Sequence, residues 1–249
     1  MQTPRFFIDE RLPHEPGAVV VLPAHVAQHV QVLRLRLGER IVMFDGHGGE
    51  CLSVLTALGK RNAETRIERF DPVERESNFI ITLVQALATG DKMDSIVQKA
   101  VELGVAAIQP IATQRATMKL SADRSDAKRA HWQSVATAAC EQCGRNRVPP
   151  VHAPLAFDAW LDTPSNATRV VLHPEGSATL QVIANAPALE IAVGPEGGFA
   201  DNEIAAAHAA GALLIAAGPR VMRTETAGPA LIAALNALNG DWRQPKRMP

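Results

Sequence analysis

The 249-residue chain is poor in the features that usually announce a chemistry. Cysteine is scarce: Cys51, Cys140 and Cys143 are an odd count and no disulfide framework. Cys140 and Cys143 do form a C-x-x-C in WQSVATAACEQCG. It reads either as a redox pair or half a zinc site, or as two small apolar residues on a helix. The helix reading is favoured, because a structural zinc takes four ligands, commonly from two such pairs, and no second pair exists. No H-x-x-H or carboxylate cluster with ligand spacing occurs, so no metal is expected. No apolar run reaches the roughly 18–20 residues of a membrane span. The first residues, MQTPRFFIDE, lack the apolar core of a signal peptide, and the expected compartment is the cytoplasm. There is no G-x-G-x-x-G and no Walker A, which argues against a dinucleotide or a P-loop nucleotide.

What is present is an ordinary globular composition, 47% apolar, with a formal charge of −1. That balance argues only weakly against a nucleic-acid partner, because the charge is unevenly spread. Between Arg115 and Arg147 the cations Arg115, Lys119, Arg124, Lys128, Arg129, Arg145 and Arg147 face only Asp123, Asp126 and Glu141. LRLRLGER adds Arg34, Arg36 and Arg40, and the tail adds Arg243, Lys246 and Arg247. Solvated helix faces would give the same count, so charge alone leaves both readings open.

The first seventy residues read as β-rich. RFFID and AVVVL are short strand candidates, IVMFDGHGGECLSVLTAL is a hairpin around a glycine-rich turn, AETRIERF alternates, and PAHVAQHVQVL fits one short helix. Short strands with turns suggest a small barrel. The polar DPVERESN is the linker candidate, which divides the chain into 1–72 and 73–249. Beyond it the pattern changes. FIITLVQAL is a continuous apolar run, as in a strand buried on both faces. DKMDSIVQKAVELG is helical, with Ile96, Val97, Ala100, Val101 and Leu103 on one side. AAIQPI, TRVVL, LEIAV and ALLI alternate with further helices, which predicts an α/β domain with a mostly parallel sheet.

Ligands of such sheets bind outside the carboxyl ends of the strands. Three strand ends here stand out: LHPEG at 172–176, GPEGG at 194–198 and AGPRVMRTETA at 217–227. Each combines proline, which stops the ladder, with glycine, which lets backbone approach a ligand. GPEGG lacks the helix-tip cradle for a pyrophosphate and better suits a nucleoside edge held by main-chain groups.

GPEGGF followed by AGPRVMRTETA resembles the RsmE family of SPOUT-superfamily methyltransferases. RFFID, KMDSIVQKAVELGV and EQCGRNRVP also look like family segments, so the likeness spans nearly the whole chain. It implies S-adenosyl-L-methionine as cofactor and methylation of uridine N3 in small-subunit (16S) ribosomal RNA. It implies a trefoil-knotted α/β domain, with the chain near 217–230 threaded through a loop, and a PUA-like β-barrel at the N-terminus. It implies a homodimer with the cofactor site beside the dimer contact. Leu231, Ile232, Leu235 and Leu238 form an apolar stripe that reads as core before interface. One departure is visible: Ala200 stands where a hydroxyl residue would complete a capping box with Glu203, and the cap is expected to shift to Asp201.

The expected cofactor residues are Leu172, His173, Gly194, Glu196, Gly197, Gly198, Ala217, Gly218, Val221, Met222 and Arg223. Uridine N3 attacks only after its proton is lost, so the site needs a base or a group that stabilises the uridine anion. Arg223 is the candidate for the anion; Glu196 and Glu225 are candidates for the base or for orienting the arginine, with structural roles as the alternative. Pro229 is expected in the first turn of a helix starting near Thr226. Arg220 is read as reaching RNA phosphate or a partner subunit. RNA phosphate contacts are expected from Arg5, Arg34, Arg36, Arg115, Lys119, Arg145 and Arg147. Two other classes stay in view: a catalytically inactive RNA-binding ribosome-assembly factor, and a nucleotide-binding enzyme with a small-molecule substrate.

Overall fold

The structure is a computed structural model that describes residues 3–59, 62–118 and 122–243. It divides into two compact units, residues 1–76 together with 140–148, and residues 77–139 together with 149–249. The first unit thus runs on through Glu76, four residues past the expected division at 72, and a later segment belongs with it. Lys119, Lys246 and Arg247 lie outside the described residues.

The first unit is a five-stranded sheet with one helix. Its elements are β1 (Arg5–Phe7), β2 (Val19–Val21), α1 (Ala24–Val32), β3 (Arg40–Phe44), β4 (Glu50–Leu58) and β5 (Ala63–Asp71). The strand order is β1-β3-β4-β5-β2, with β1 parallel to β3 and the other pairs antiparallel. Period-two alternation sends Ile41 and Met43 of β3, Cys51 and Leu55 of β4 and Ala63 and Ile67 of β5 into one core with Val26, Ala27 and Val30 of α1.

An ion-pair network fixes residues 140–148 in this unit. Arg5 reaches Glu50 at 2.5 Å and the Asn146 Oδ1 at 2.6 Å, and Arg75 donates to Glu50 at 2.7 and 3.0 Å. Arg145 pairs with Glu76, Arg147 with Glu74 at 2.8 Å, and the Phe7 N–H donates to Glu141 at 2.9 Å. Burial alone would raise the Glu50 pKa, but hydrogen bonds from Arg75 and Arg5 outweigh it and hold the carboxyl at about 2. The Cys140 thiol is buried and accordingly pushed up to about 12, the state of an inert core group.

This network corrects two of the phosphate contacts expected from charge. The Arg5 and Arg145 side chains are only 7% and 6% exposed and are neutralised by Glu50 and Glu76, so neither can meet RNA. Arg147 is half-exposed but already paired.

The second unit is an α/β domain. Its strands are β6 (Ile80–Ala86), β7 (Ala107–Ala112), β8 (Leu155–Ala156), β9 (Thr168–Leu172), β10 (Ala188–Val193) and β11 (Leu213–Ile215). Its helices are α2 (Lys92–Glu102), α3 (Ala122–Cys143), whose last turn belongs to the first unit, α4 (Phe157–Asp162), α5 (Leu180–Ile183), α6 (Asp201–Ala209) and α7 (Thr224–Asn239). The sheet order is β11-β9-β10-β6-β7-β8 and every pair is parallel. One face carries α7, which lies on β6 and β10 and against α2. On the other, Phe157 and Trp160 of α4 and Ala207 of α6 join Val84, Ala86, Val171 and Ala192 in a second apolar layer. The α7 stripe divides as its spacing allows: Leu231, Ile232 and Leu235 are core, and Leu238 is exposed. Buried Asn236 donates to the Leu103 carbonyl at 2.6 Å, which ties α7 to the end of α2. Among the described residues no helix is long and apolar enough to cross a membrane.

Candidate active site

The three unusual strand ends belong to β9, β10 and β11, which are neighbours in the sheet, so their loops converge. Together they enclose a cavity of about 570 Å³. Of the expected cofactor residues, Leu172, His173, Gly194, Glu196, Gly198, Ala217, Gly218, Val221, Met222 and Arg223 line it. Gly197 does not: a Cβ there would lie 3.2 Å from the Arg115 Cβ. Glu225, Arg220, Lys92 and Arg115 also reach the lining.

Local sequence explains how each loop is held. After β9 the chain turns tightly, with the Gly176 N–H donating to the His173 carbonyl at 3.0 Å. Gly176 lies against β11 so closely that a Cβ would fall 2.4 Å from the Ile215 carbonyl carbon; only glycine fits. After β10, the Gly198 N–H closes a turn onto the Pro195 carbonyl at 2.9 Å, and Gly198 has φ +68°, the left-handed region. The space where its Cβ would lie is open.

Glu196 is clasped by three donors: Lys92 Nζ at 2.7 Å, Thr89 Oγ1 at 2.7 Å and the Thr89 N–H at 3.2 Å. Desolvation would raise its pKa, but the Lys92 and Thr89 hydrogen bonds prevail and hold it at about 2. Its partner is thus a lysine, and no ion pair joins it to an arginine among the described residues. Arg115 carries the loop from the other side, donating to the Phe199 carbonyl at 2.8 Å and pairing with Asp201 at 3.3 Å.

The cap of α6 differs from the expected shift to Asp201. The N-cap is Ala200 itself, whose N–H donates to Glu203 Oε2 at 2.7 Å; the other oxygen accepts the Gln114 N–H at 2.8 Å. Glu203 thereby performs half of a capping box and anchors the chain after β7.

The third loop leads straight into α7. This helix starts at Thr224, two residues before the expected position, so Pro229 falls in the second turn. Proline has no N–H, and the Glu225 carbonyl loses its helical partner there. Thr224 is buried and joins two strand ends: its hydroxyl donates to the Gly194 carbonyl at 2.7 Å and accepts from Gln85 Nε2 at 3.0 Å. Beside it, Glu225 Oε2 is buried without a hydrogen-bond partner among the described residues. The Arg220 and Arg223 residues are exposed and line the same cavity. No ion pair joins Arg223 to Glu196 or Glu225 among the described residues. His173 Nδ1 accepts the Glu175 N–H at 3.3 Å, a local turn contact. No group of three His, Cys, Asp or Glu side chains among the described residues could hold a metal ion.

A parallel sheet with converging glycine- and proline-rich strand ends, in a chain that opens with a small β unit, defines a class. Residues 75–236 match the RNA methyltransferase domain family, and residues 22–68 match the RNA methyltransferase PUA domain. The particular family follows from full-length relatives. Ribosomal RNA small subunit methyltransferase E of Synechocystis is 34% identical over 89% of this chain and 74% of its own length. That of Mycobacterium bovis is 32% identical over 95% of this chain and 92% of its own. A crystal structure of the Neisseria gonorrhoeae ribosomal RNA small subunit methyltransferase E bound to S-adenosyl methionine is 40% identical, with a TM-score of 0.90 over 97% of this chain and 100% of that one. The Legionella pneumophila methyltransferase Lpg2936, in complex with the same cofactor, is 34% identical, with a TM-score of 0.92 and the same coverage. The chain belongs to the ribosomal RNA small subunit methyltransferase E family.

Proposed function

We propose that the chain transfers the methyl group of S-adenosylmethionine to N3 of a uridine in small-subunit (16S) ribosomal RNA. The observation that carries this reading is the cavity built from three adjacent strand ends, in a chain whose similar solved structures hold that cofactor. The residues fit it. Leu172, Val193, Phe199 and Met222 supply apolar surface for a purine, and Gly198 and Gly218 leave backbone uncovered, with open space at each missing Cβ. When bound, the cofactor supplies a sulfonium methyl group.

The protein's own residues divide the remaining work. Glu225 lines the cavity and offers a buried carboxylate oxygen with no hydrogen-bond donor among the described residues, the acceptor needed for the N3 proton. Glu196, held at about 2, is a poor proton acceptor near neutrality and instead clasps the 194–199 loop to Lys92 and Thr89. Arg223 lines the same cavity and supplies a planar guanidinium for a uracil oxygen as negative charge develops. Arg34, Arg36, Arg115 and Arg147 are the exposed or half-exposed cations read as RNA contacts, the last two already paired with Asp201 and Glu74. A cytoplasmic homodimer with a trefoil knot at 217–230 completes the reading. Exposed Leu238 and Trp242 near the end of α7 support the dimer.

The test is mass-spectrometric mapping of small-subunit RNA from cells lacking the protein, before and after treatment with purified protein and cofactor. One uridine should gain a methyl at N3, and Glu225→Gln should abolish the gain while still binding the cofactor. Methyl transfer to another atom, or none at all with wild-type protein, overturns the proposal.

A further inference from the structure

The surface that follows α1 is built in an unusual way. Val32, Leu33 and Leu37 are 70%, 45% and 61% exposed, and the exposed Arg34 and Arg36 alternate with them. Neither arginine side chain has a hydrogen-bond or ion-pair partner among the described residues, a state they share with Arg66 and Arg69 in this unit, whereas Arg5, Arg40, Arg75, Arg145 and Arg147 are paired. Arg34 has φ +57° and is the only non-glycine residue in the left-handed region among those described. A helix end of this geometry ordinarily takes glycine or asparagine, and a long side chain there is strained.

The segment is nevertheless firmly held from beneath. The Leu33, Arg34 and Leu35 N–H groups donate back to His29, Gln31 and Val30 at 3.0, 2.9 and 3.1 Å, and the Gly38 N–H donates to Leu55 at 2.9 Å. Leu35 packs on the core of the unit. The exposed side chains therefore project from fixed backbone. Apolar surface interleaved with unpaired guanidinium groups matches an unpaired nucleotide: a flat base on the aliphatic side chains and guanidinium planes, a phosphate on the charge.

We infer that residues 32–37 form a contact surface for an unpaired segment of RNA, with the strained Arg34 kept for that contact. The inference rests on the RNA reading given above and names where the first unit meets its substrate.

The test exploits the strain. Arg34→Gly removes the cation and relieves the backbone, so the protein should melt at the same or a higher temperature. Its dissociation constant for a small-subunit RNA transcript should rise roughly tenfold, with a salt dependence shallower by about 0.7 in log–log slope, one single-strand contact. Val32→Ser combined with Leu37→Ser should weaken the same binding while leaving the salt slope unchanged. Cofactor affinity serves as the control and stays at the wild-type value. Wild-type RNA affinity in both folded variants would overturn the inference alone; failure of the wild-type protein to bind the transcript would overturn the RNA reading itself. Binding to phosphatidylserine vesicles that these variants lose, with RNA affinity intact, would assign the surface to a membrane and overturn the inference as well.

Discussion

Thr224→Val replaces a hydroxyl by a methyl of nearly the same shape, at a site where the hydroxyl joins two strand ends. The Thr224 hydroxyl donates to the Gly194 carbonyl and accepts from the Gln85 amide, and both Thr224 and Gln85 are buried, at 5% and 0% exposure. Valine would strand one donor and one acceptor. At about 1–3 kcal/mol for each of the two unsatisfied buried groups, less a gain of about 1 kcal/mol from the apolar methyl, the loss is roughly 1–5 kcal/mol. At about 2–4 °C per kcal/mol for a unit of this size, the melting temperature should fall by about 2–20 °C. Cofactor affinity should fall with it, since Gly194 and the first residues of α7 both line the cavity. Thr224→Ser keeps the oxygen and should recover most of both losses. Thermal unfolding and calorimetric titration with S-adenosylmethionine provide the readouts. A valine variant that melts and binds like wild type would show that these hydrogen bonds contribute nothing, and would refute the reasoning that α7 is registered on the sheet through Thr224.

Arg223→Lys keeps the charge but loses the planar fork, so single-turnover methyl transfer should slow sharply with little change in cofactor affinity, and higher pH should partly restore the rate; equal losses of rate and affinity would make Arg223 a binding residue. Gly198→Val places a β-branched residue at φ +68° and should cost both stability and cofactor binding, whereas Gly198→Asn, which tolerates that conformation, should fold normally; equal melting temperatures for the two would contradict this account. Arg145→Ala should destabilise the first unit without flattening the salt dependence of RNA binding, because its guanidinium already belongs to Glu76. Glu50 is depressed from 4.5 to about 2, so its stabilisation is fully present above pH 4.5 and is lost as pH falls through about 2; Glu50→Gln should therefore lower the melting temperature at pH 7 and lose that deficit in acid.

The parallel strands were legible because a strand buried on both faces writes itself as a nearly continuous apolar run, and FIITLVQAL does so with only Thr82 and Gln85 interrupting it. Gln85 is the partner of Thr224, a contact 139 positions away that no local pattern encodes. β8 and α4 were missed: two and six residues are too short for a period to show, although Phe157 and Trp160 anchor a core layer. Counting charges put Arg5 and Arg145 on the RNA, since a count cannot distinguish a cation facing solvent from one neutralised by a distant glutamate. Gly197 and Gly198 look equivalent in GPEGG, and only the backbone angle and the position of Arg115 separate them. The start of α7 was read late because Pro229 was assumed to mark its first turn; the freed Glu225 carbonyl shows that the helix tolerates proline one turn further in.

The first unit takes residues 140–148 from beyond sixty-three residues of the second, and this orders events during synthesis. When residue 76 leaves the ribosome, Glu50 has Arg75 but not Arg5's full clamp through Asn146, and Glu74 and Glu76 have no arginines at all. At about 5–20 residues per second, their partners arrive several seconds later. Until then the nascent unit carries a cluster of unmatched carboxylates, and Arg145 and Arg147 reach them only after the whole of α3 has been made. A gene fragment ending at residue 76 should therefore yield an incomplete fold, and a viable excision must carry residues 140–148 back to it by a linker.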